Sequence, residues 1–149
     1  MEPSDSDPVV IHAVLMSDHV IREAGTNKLT LVGIFSVWNC PGFPFITPPF
    51  WITVFMTNFR SGTKATDIVV RLEQKQTGMV LGNAAAHVEF AAGHVTPEAM
   101  LEIPFRLNAV LIPQPGAYRI VVLSNDEKIA ERPFNANPVN LPTIPPPSA

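Results

Sequence analysis

Apolar and polar positions alternate with a period of two along most of the chain, and turn-forming residues punctuate the alternation. In an extended chain successive side chains point to opposite faces, so this period predicts β-strands. "TDIVVRLEQK" (66–75) shows it plainly: Ile68, Val70 and Leu72 share one face, and Asp67, Arg71, Glu73 and Lys75 point the other way. One wet face suits an antiparallel sheet. "AMLEIPFRLNAVLI" (99–112) places Leu101, Ile103, Phe105 and Leu107 inward, with Glu102, Arg106 and Asn108 outward. Pro104 falls on the outward set and has no N–H to donate, which predicts an edge strand or a bulge there.

Other stretches are more continuously apolar. "PVVIHAVLM" (8–16) and "KLTLVGIFSVW" (28–38) predict strands buried on both faces, and "PFWITVFMTNF" (49–59) sets Trp51, Thr53, Phe55 and Thr57 against Phe50, Ile52, Val54 and Met56. "MVLGNAAAHVEF" (79–90) follows the turn residues Thr77 and Gly78. "GAYRIVVLSNDEKIAERPF" (116–134) reads as strand, turn, strand, with Tyr118, Ile120 and Val122 on one face. Asn125 and Asp126 tolerate the positive φ that a tight hairpin needs. About eight short strands with no long helical period predict an all-β chain: one antiparallel two-sheet β-sandwich, immunoglobulin-like or similar.

At 149 residues the chain is expected to be one domain with a sizeable core. The acidic, polar leader 1–8 is expected to be disordered, residues 9–135 to form the sandwich, and residues 136–149 to form a proline-rich tail. Proline removes ladder donors, so the chain from Asn135 onward is expected as extended, polyproline-like linker. "PTIPPP" has no flanking arginine to orient it as a docking peptide.

Composition narrows the function classes. Net charge is −3 and no basic cluster occurs, so the electrostatic footprint of a nucleic-acid binder is missing. No apolar run approaches the ~18 residues that suggest a membrane span. The leader lacks the basic start and apolar stretch of a signal peptide. The lone Cys40 cannot form an internal disulfide. These features together predict a cytoplasmic protein.

Three groups of residues are candidates for chemistry. Ser17, Asp18 and His19 supply the parts of a hydrolase triad, but on a strand Asp18 and His19 diverge, and Ser17 lacks the tight Gly-flanked turn of a nucleophile. Asp18 is expected to accept hydrogen bonds near the end of the first strand. His87 and Glu89, two apart on a strand, share a face that could hold a transition metal. With Gly82, Gly93 and His94 they partly resemble the cupin metal motif, although one histidine of its pair is missing and His12 would have to complete the set. Finally, "WNCPGFPFITPPFW" (38–51) gathers Trp38, Phe43, Phe45, Phe50 and Trp51 around four prolines. Such a loop either closes an end of the sandwich or forms a contact patch. Cys40 has no cationic neighbour in sequence to activate it, and neither a P-loop nor a G-x-G-x-x-G cradle is present.

"LMSDHVIREAGTNKLTLVGIFSVW" and "PGAYRIVVLSNDEKIAERPF" together resemble a group of small bacterial proteins classed as a domain of unknown function. The resemblance covers most of residues 9–135. Here Asn27-Lys28-Leu29 stands where the group has Gly-Lys-Leu, and the glycine is Gly25 instead. It implies a bacterial β-sandwich and carries no activity.

The expectation is therefore a non-enzymatic interaction or scaffold domain without a cofactor, contacting protein partners or a second copy through Trp38, Phe43, Phe45, Phe50 and Trp51. The alternatives are a metal- or small-ligand-binding sandwich using His87 and Glu89, and a carbohydrate-binding module using Trp38 or Trp51.

Overall fold

A computed structural model describes residues 9–57, 65–89, 100–139 and 145–148. The leader 1–8, and Gly93 and His94 of the expected metal set, lie outside the described residues. Among those described, all regular structure is strand. The strands are β1 (Val10–Arg22), β2 (Leu29–Phe35), β3 (Val37–Cys40), β4 (Phe45–Ile46), β5 (Phe50–Thr57) and β6 (Ala65–Gln74). They continue as β7 (Val80–Glu89), β8 (Met100–Leu107), β9 (Leu111–Ile112), β10 (Gly116–Ser124) and β11 (Glu127–Pro138). One sheet has the order β2-β1-β5-β8, a second β3-β11-β10-β6-β7, and β4 and β9 form a small third. All ladders are antiparallel except β3–β11, which is parallel.

The strand count exceeds the expected eight for identifiable reasons. The run 28–38 is two strands: at Ser36 the chain leaves the four-stranded sheet, where Phe35 faces Met16, and enters the other, where Val37 faces Asn135. The run 99–112 likewise divides into β8 and β9, and the aromatic stretch contributes β4. β2 is not buried on both faces: Leu29, Leu31 and Phe35 are half-buried, whereas Thr30, Val32 and Ile34 are exposed. The tail boundary also moves: Asn135, Ala136 and Asn137 keep their N–H groups, and they and Pro138 pair with Val37–Cys40. A proline removes only its own donor, so Pro133 and Pro138 do not stop the ladder.

The predicted alternation is met in the core. Ile52, Val54 and Met56 of β5, Ile68, Val70 and Leu72 of β6, and Tyr118, Ile120 and Val122 of β10 are all fully buried. They belong to a single apolar cluster with Met16, Phe105, Leu107 and Phe134, drawn from both large sheets. Each such side chain stabilises by about 1.5–3 kcal/mol relative to exposure. β8 is an edge, as Pro104 implied, and Pro104 lies opposite Thr53. Glu73, expected outward in water, is nearly buried beside Arg119, whose Nη2 lies 3.3 Å from its Oε1.

Two turns hold the frame. Asn125 and Asp126 take φ of 48° and 67°, as the hairpin required. Asn125 also ties down the neighbouring strand, its N–H donating to the Asp67 carbonyl at 2.9 Å while its Oδ1 accepts from the Asp67 N–H at 3.0 Å. At the entry to β10, the buried Tyr118 hydroxyl donates to the Gln114 carbonyl at 2.5 Å. A tyrosine bonding back to the backbone a few residues upstream is the corner device of Greek-key sandwiches.

The first hairpin is bent. Arg22 Nη2 donates to the Glu102 carbonyl at 3.5 Å, yet Glu102 lies level with Ala13, through Phe55. In a flat ladder those levels would be roughly 30 Å apart along the strand. The hairpin therefore curls back toward β8, the far edge of its sheet. The bend falls at Gly33, whose φ is 68°. Ser17 and Thr53, two polar side chains on the strand faces opposite Met16 and Ile52, are fully buried.

Candidate functional site

Asp18 and His19 are both exposed, and Ser17 is fully buried, its hydroxyl donating to the His19 carbonyl at 3.2 Å. The three side chains do not converge. Asp18 does not mark the end of its strand, which runs on to Arg22. Its carboxylate instead fills the space over Gly33, where a Cβ would meet its Cγ at 3.0 Å. The motif that most resembled an active site is the hinge of a bent hairpin.

His87 and Glu89 do share a face, and the ladder adds a residue that sequence reasoning left out. Asp67 of β6 lies directly opposite His87. His87 Nδ1 is 2.6 Å from Asp67 Oδ1 and its Nε2 is 3.6 Å from Glu89 Oε1. The Asp67 hydrogen bond, more than any other influence, raises the His87 pKa above the ordinary histidine value. Each ring nitrogen is directed at a carboxylate, which favours an imidazolium held between two anions. His12 belongs to the other large sheet and bonds Thr57 Oγ1 at 2.7 Å, so it does not join His87. Among the described residues no group of three or more His, Cys, Asp or Glu side chains forms a metal cage.

The aromatic stretch divides between core and rim. Trp38 is 8% exposed and Phe50 is fully buried, which corrects their expected place in a contact patch. Strand alternation in β3 and β5 turns both inward. Trp38 packs against Phe35, Phe50 and Phe45 with ring centroids at 4.6, 5.1 and 6.2 Å, mostly in edge or tilted arrangements. Its faces are thereby taken up, leaving none free for a sugar ring. Phe43 and Phe45 are half-buried against the same cluster, and the Phe43–Pro44 bond is cis. Trp51 is half-buried on the opposite face of its strand, level with Ser17 and Arg106. Cys40 is a buried free thiol whose pKa is raised by that burial, the reverse of an activated nucleophile.

Exposed large apolar side chains occur in several places: Ile46 of the aromatic stretch is 66% exposed beside its ladder partner Leu111 at 50%, and a second group lies on the first hairpin. Ile21 and Val32 share the solvent face of the returning hairpin with His19 and Thr30, and are 56% and 41% exposed. Ile34, at the bend, is 57% exposed. "LTLVGIF" carries apolar residues on both sides of its alternation, a signal read as double burial rather than as an exposed edge. No helix among the described residues is long and apolar enough to cross a membrane.

A family model described as a family of unknown function (DUF6941) matches residues 12–137. No curated protein matches the chain. Among solved structures, it is similar to the Pseudomonas fluorescens alkylpurine DNA glycosylase AlkC bound to DNA containing an abasic site analog, at 15% identity and a TM-score of 0.47. That match covers 86% of this chain and spans 30% of the glycosylase chain. It is also similar to an immunoglobulin-like protein from Pseudomonas aeruginosa, at 11% identity and a TM-score of 0.38, over 91% of this chain and 100% of that one.

Proposed function

The chain belongs to this family of unknown function, and because membership brings no activity with it, we propose a reading from the molecule's own surface. The protein is a non-catalytic β-sandwich module of immunoglobulin-like kind that contacts other proteins through the exposed arm of its first hairpin. A single core cluster fed by both large sheets and the Tyr118 corner support the sandwich. The observation that carries the contact surface is the grouping of Ile21, Val32 and Ile34, 56%, 41% and 57% exposed, on one hairpin. Single exposed apolar residues are ordinary, whereas several together on one element mark an interaction site. The proposed setting is the cytoplasm, where a free thiol such as Cys40 stays reduced.

A photo-crosslinking residue at position 21, compared with one at the exposed Gln76, tests this in the native cell. The expected result is a discrete adduct from position 21 alone. An adduct of two copies would identify self-association as the contact. Equal labelling from both positions, or none from either, would overturn the reading.

A further inference from the structure

The two large sheets end in the outer strands β2 and β8, and β3 and β7. Edges are commonly guarded against pairing by a proline, a bend, an inward charge or shortness. β8 has Pro104, β2 bends at Gly33, and β3 is four residues long and runs into Pro41. β7 has none of these guards along Asn83–Glu89. Its inward residues there are Ala84, Ala86 and Val88, and its outward ones are Asn83, Ala85, His87 and Glu89.

Asp67 fixes which way the backbone of β7 points. Its N–H and its carbonyl both bond Asn125, on the β10 side of β6. Asp67 and His87 are therefore a pair without backbone bonds in the β6–β7 ladder. His87 turns its own N–H and C=O toward the open edge, and by alternation so do Asn83, Ala85 and Glu89.

The side chains of this edge are complementary to themselves about Ala86. Before it stand the small or amide-bearing Asn83, Ala84 and Ala85, and after it the larger or charged His87, Val88 and Glu89. We propose that β7 pairs antiparallel with β7 of a second copy, about a two-fold axis at Ala86, and joins the two five-stranded sheets edge to edge. Ala85 then faces His87 of the second copy, Ala84 faces Val88, and Asn83 faces Glu89. Residues whose backbone points to the edge meet others of the same kind, as a bonded ladder requires. Inward residues also meet inward residues, so both cores stay on one side of the joined sheet.

Charge favours a second copy as the occupant. Arg71 of β6 lies beside Asn83, half-buried on the outer face, and makes no ion pair among the described residues. An unmatched arginine calls for a carboxylate at one position of the incoming strand, and β7 of a second copy supplies Glu89 there. The two Cα atoms would be about 10 Å apart, two strand spacings, which the long side chains can close. The two Glu89 residues stand roughly 20 Å apart, well beyond the screening length of ~8 Å. The two His87 rings come closer, but each is matched by Asp67 and Glu89 of its own chain. The pairing goes beyond the hairpin reading and uses a different surface.

Analytical ultracentrifugation of the full chain tests this. The weight-average mass is expected to rise from one chain toward two with concentration. Ala85→Pro removes an N–H that β6 does not use, so the fold should stand while the dissociation constant rises about tenfold or more. Should Ala85→Pro fail to fold, Ala85→Lys decides, because it sets a lysine against His87 of the second copy, and the same weakening is expected. Ala86→Cys, on the axis, should crosslink to itself on oxidation, whereas Ala84→Cys should not. Arg71→Glu and Glu89→Arg should each weaken the dimer and together restore it. A chain that stays single at every concentration overturns the proposal and leaves the edge to a strand of a different protein. A dimer that survives Ala85→Pro, crosslinks equally at positions 84 and 86, or gains nothing from the double charge exchange overturns it as well. A dimer dispersed by Ile21→Asp but not by Ala85→Pro would put the contact on the first hairpin instead.

Discussion

The carboxylate of Asp18 lies over Gly33 on the neighbouring strand, in the space that any other residue there would fill with its Cβ. Gly33 also holds a φ of 68°. Gly33→Ala therefore meets two costs, a left-handed backbone and a displaced carboxylate. The expected loss is about 1–3 kcal/mol in urea unfolding. Asp18→Ala in the same chain should return part of it, and strict additivity of the two changes would show that the residues are not coupled.

Tyr118→Phe keeps the ring stacked on Phe134, with centroids 5.5 Å apart, but removes the donor to the Gln114 carbonyl. Leaving a part-buried acceptor unpaired is expected to cost about 1–2 kcal/mol. Thermal melting should show a transition lowered by several degrees at unchanged strand content. An unaltered midpoint would mean the corner bond adds nothing to stability.

His87 should titrate above an ordinary histidine, because its imidazolium is held by Asp67 and Glu89. Asp67→Asn removes the larger influence, so the midpoint followed by imidazole NMR should fall. The sign for folding follows from the raised value. Whatever stability the pair contributes is complete below the unfolded histidine pKa and disappears as pH rises through the folded one. A midpoint unmoved by Asp67→Asn would separate the geometry from the titration.

Cys40 is expected to resist thiol reagents in the native protein and to react rapidly in denaturant, since burial both shields the sulfur and raises its pKa. Stopped labelling followed by mass spectrometry measures this directly. Prompt stoichiometric modification without denaturant would place the thiol at the surface.

Strand positions were legible where one face is wet and the other dry, as in Ile68-Val70-Leu72 against Asp67 and Arg71. The turn at Asn125-Asp126 was legible because few residues accept positive φ. What alternation does not encode is which sheet a strand joins. "KLTLVGIFSVW" reads as one apolar run, yet Ser36 hands the chain from one sheet to the other. Nor does it distinguish an edge strand that keeps apolar side chains from a central one, which is why Ile34 reads as core and is exposed. His87 and Glu89 could be paired from their spacing, whereas Asp67 is twenty positions away and is brought there only by β6–β7 register.

The parallel pairing of β3 with β11 has a bearing on biosynthesis. β10 sits between β6 and β11, and β11 between β10 and β3, so the five-stranded sheet has no centre until its last hairpin exists. On the ribosome, β3 and the β6–β7 hairpin are made first and wait with open edges. Such edges are where nascent chains stick to one another. A message cut short before the codons for β10 would thus yield not a smaller version of this protein but a fragment for the cell's proteases to clear.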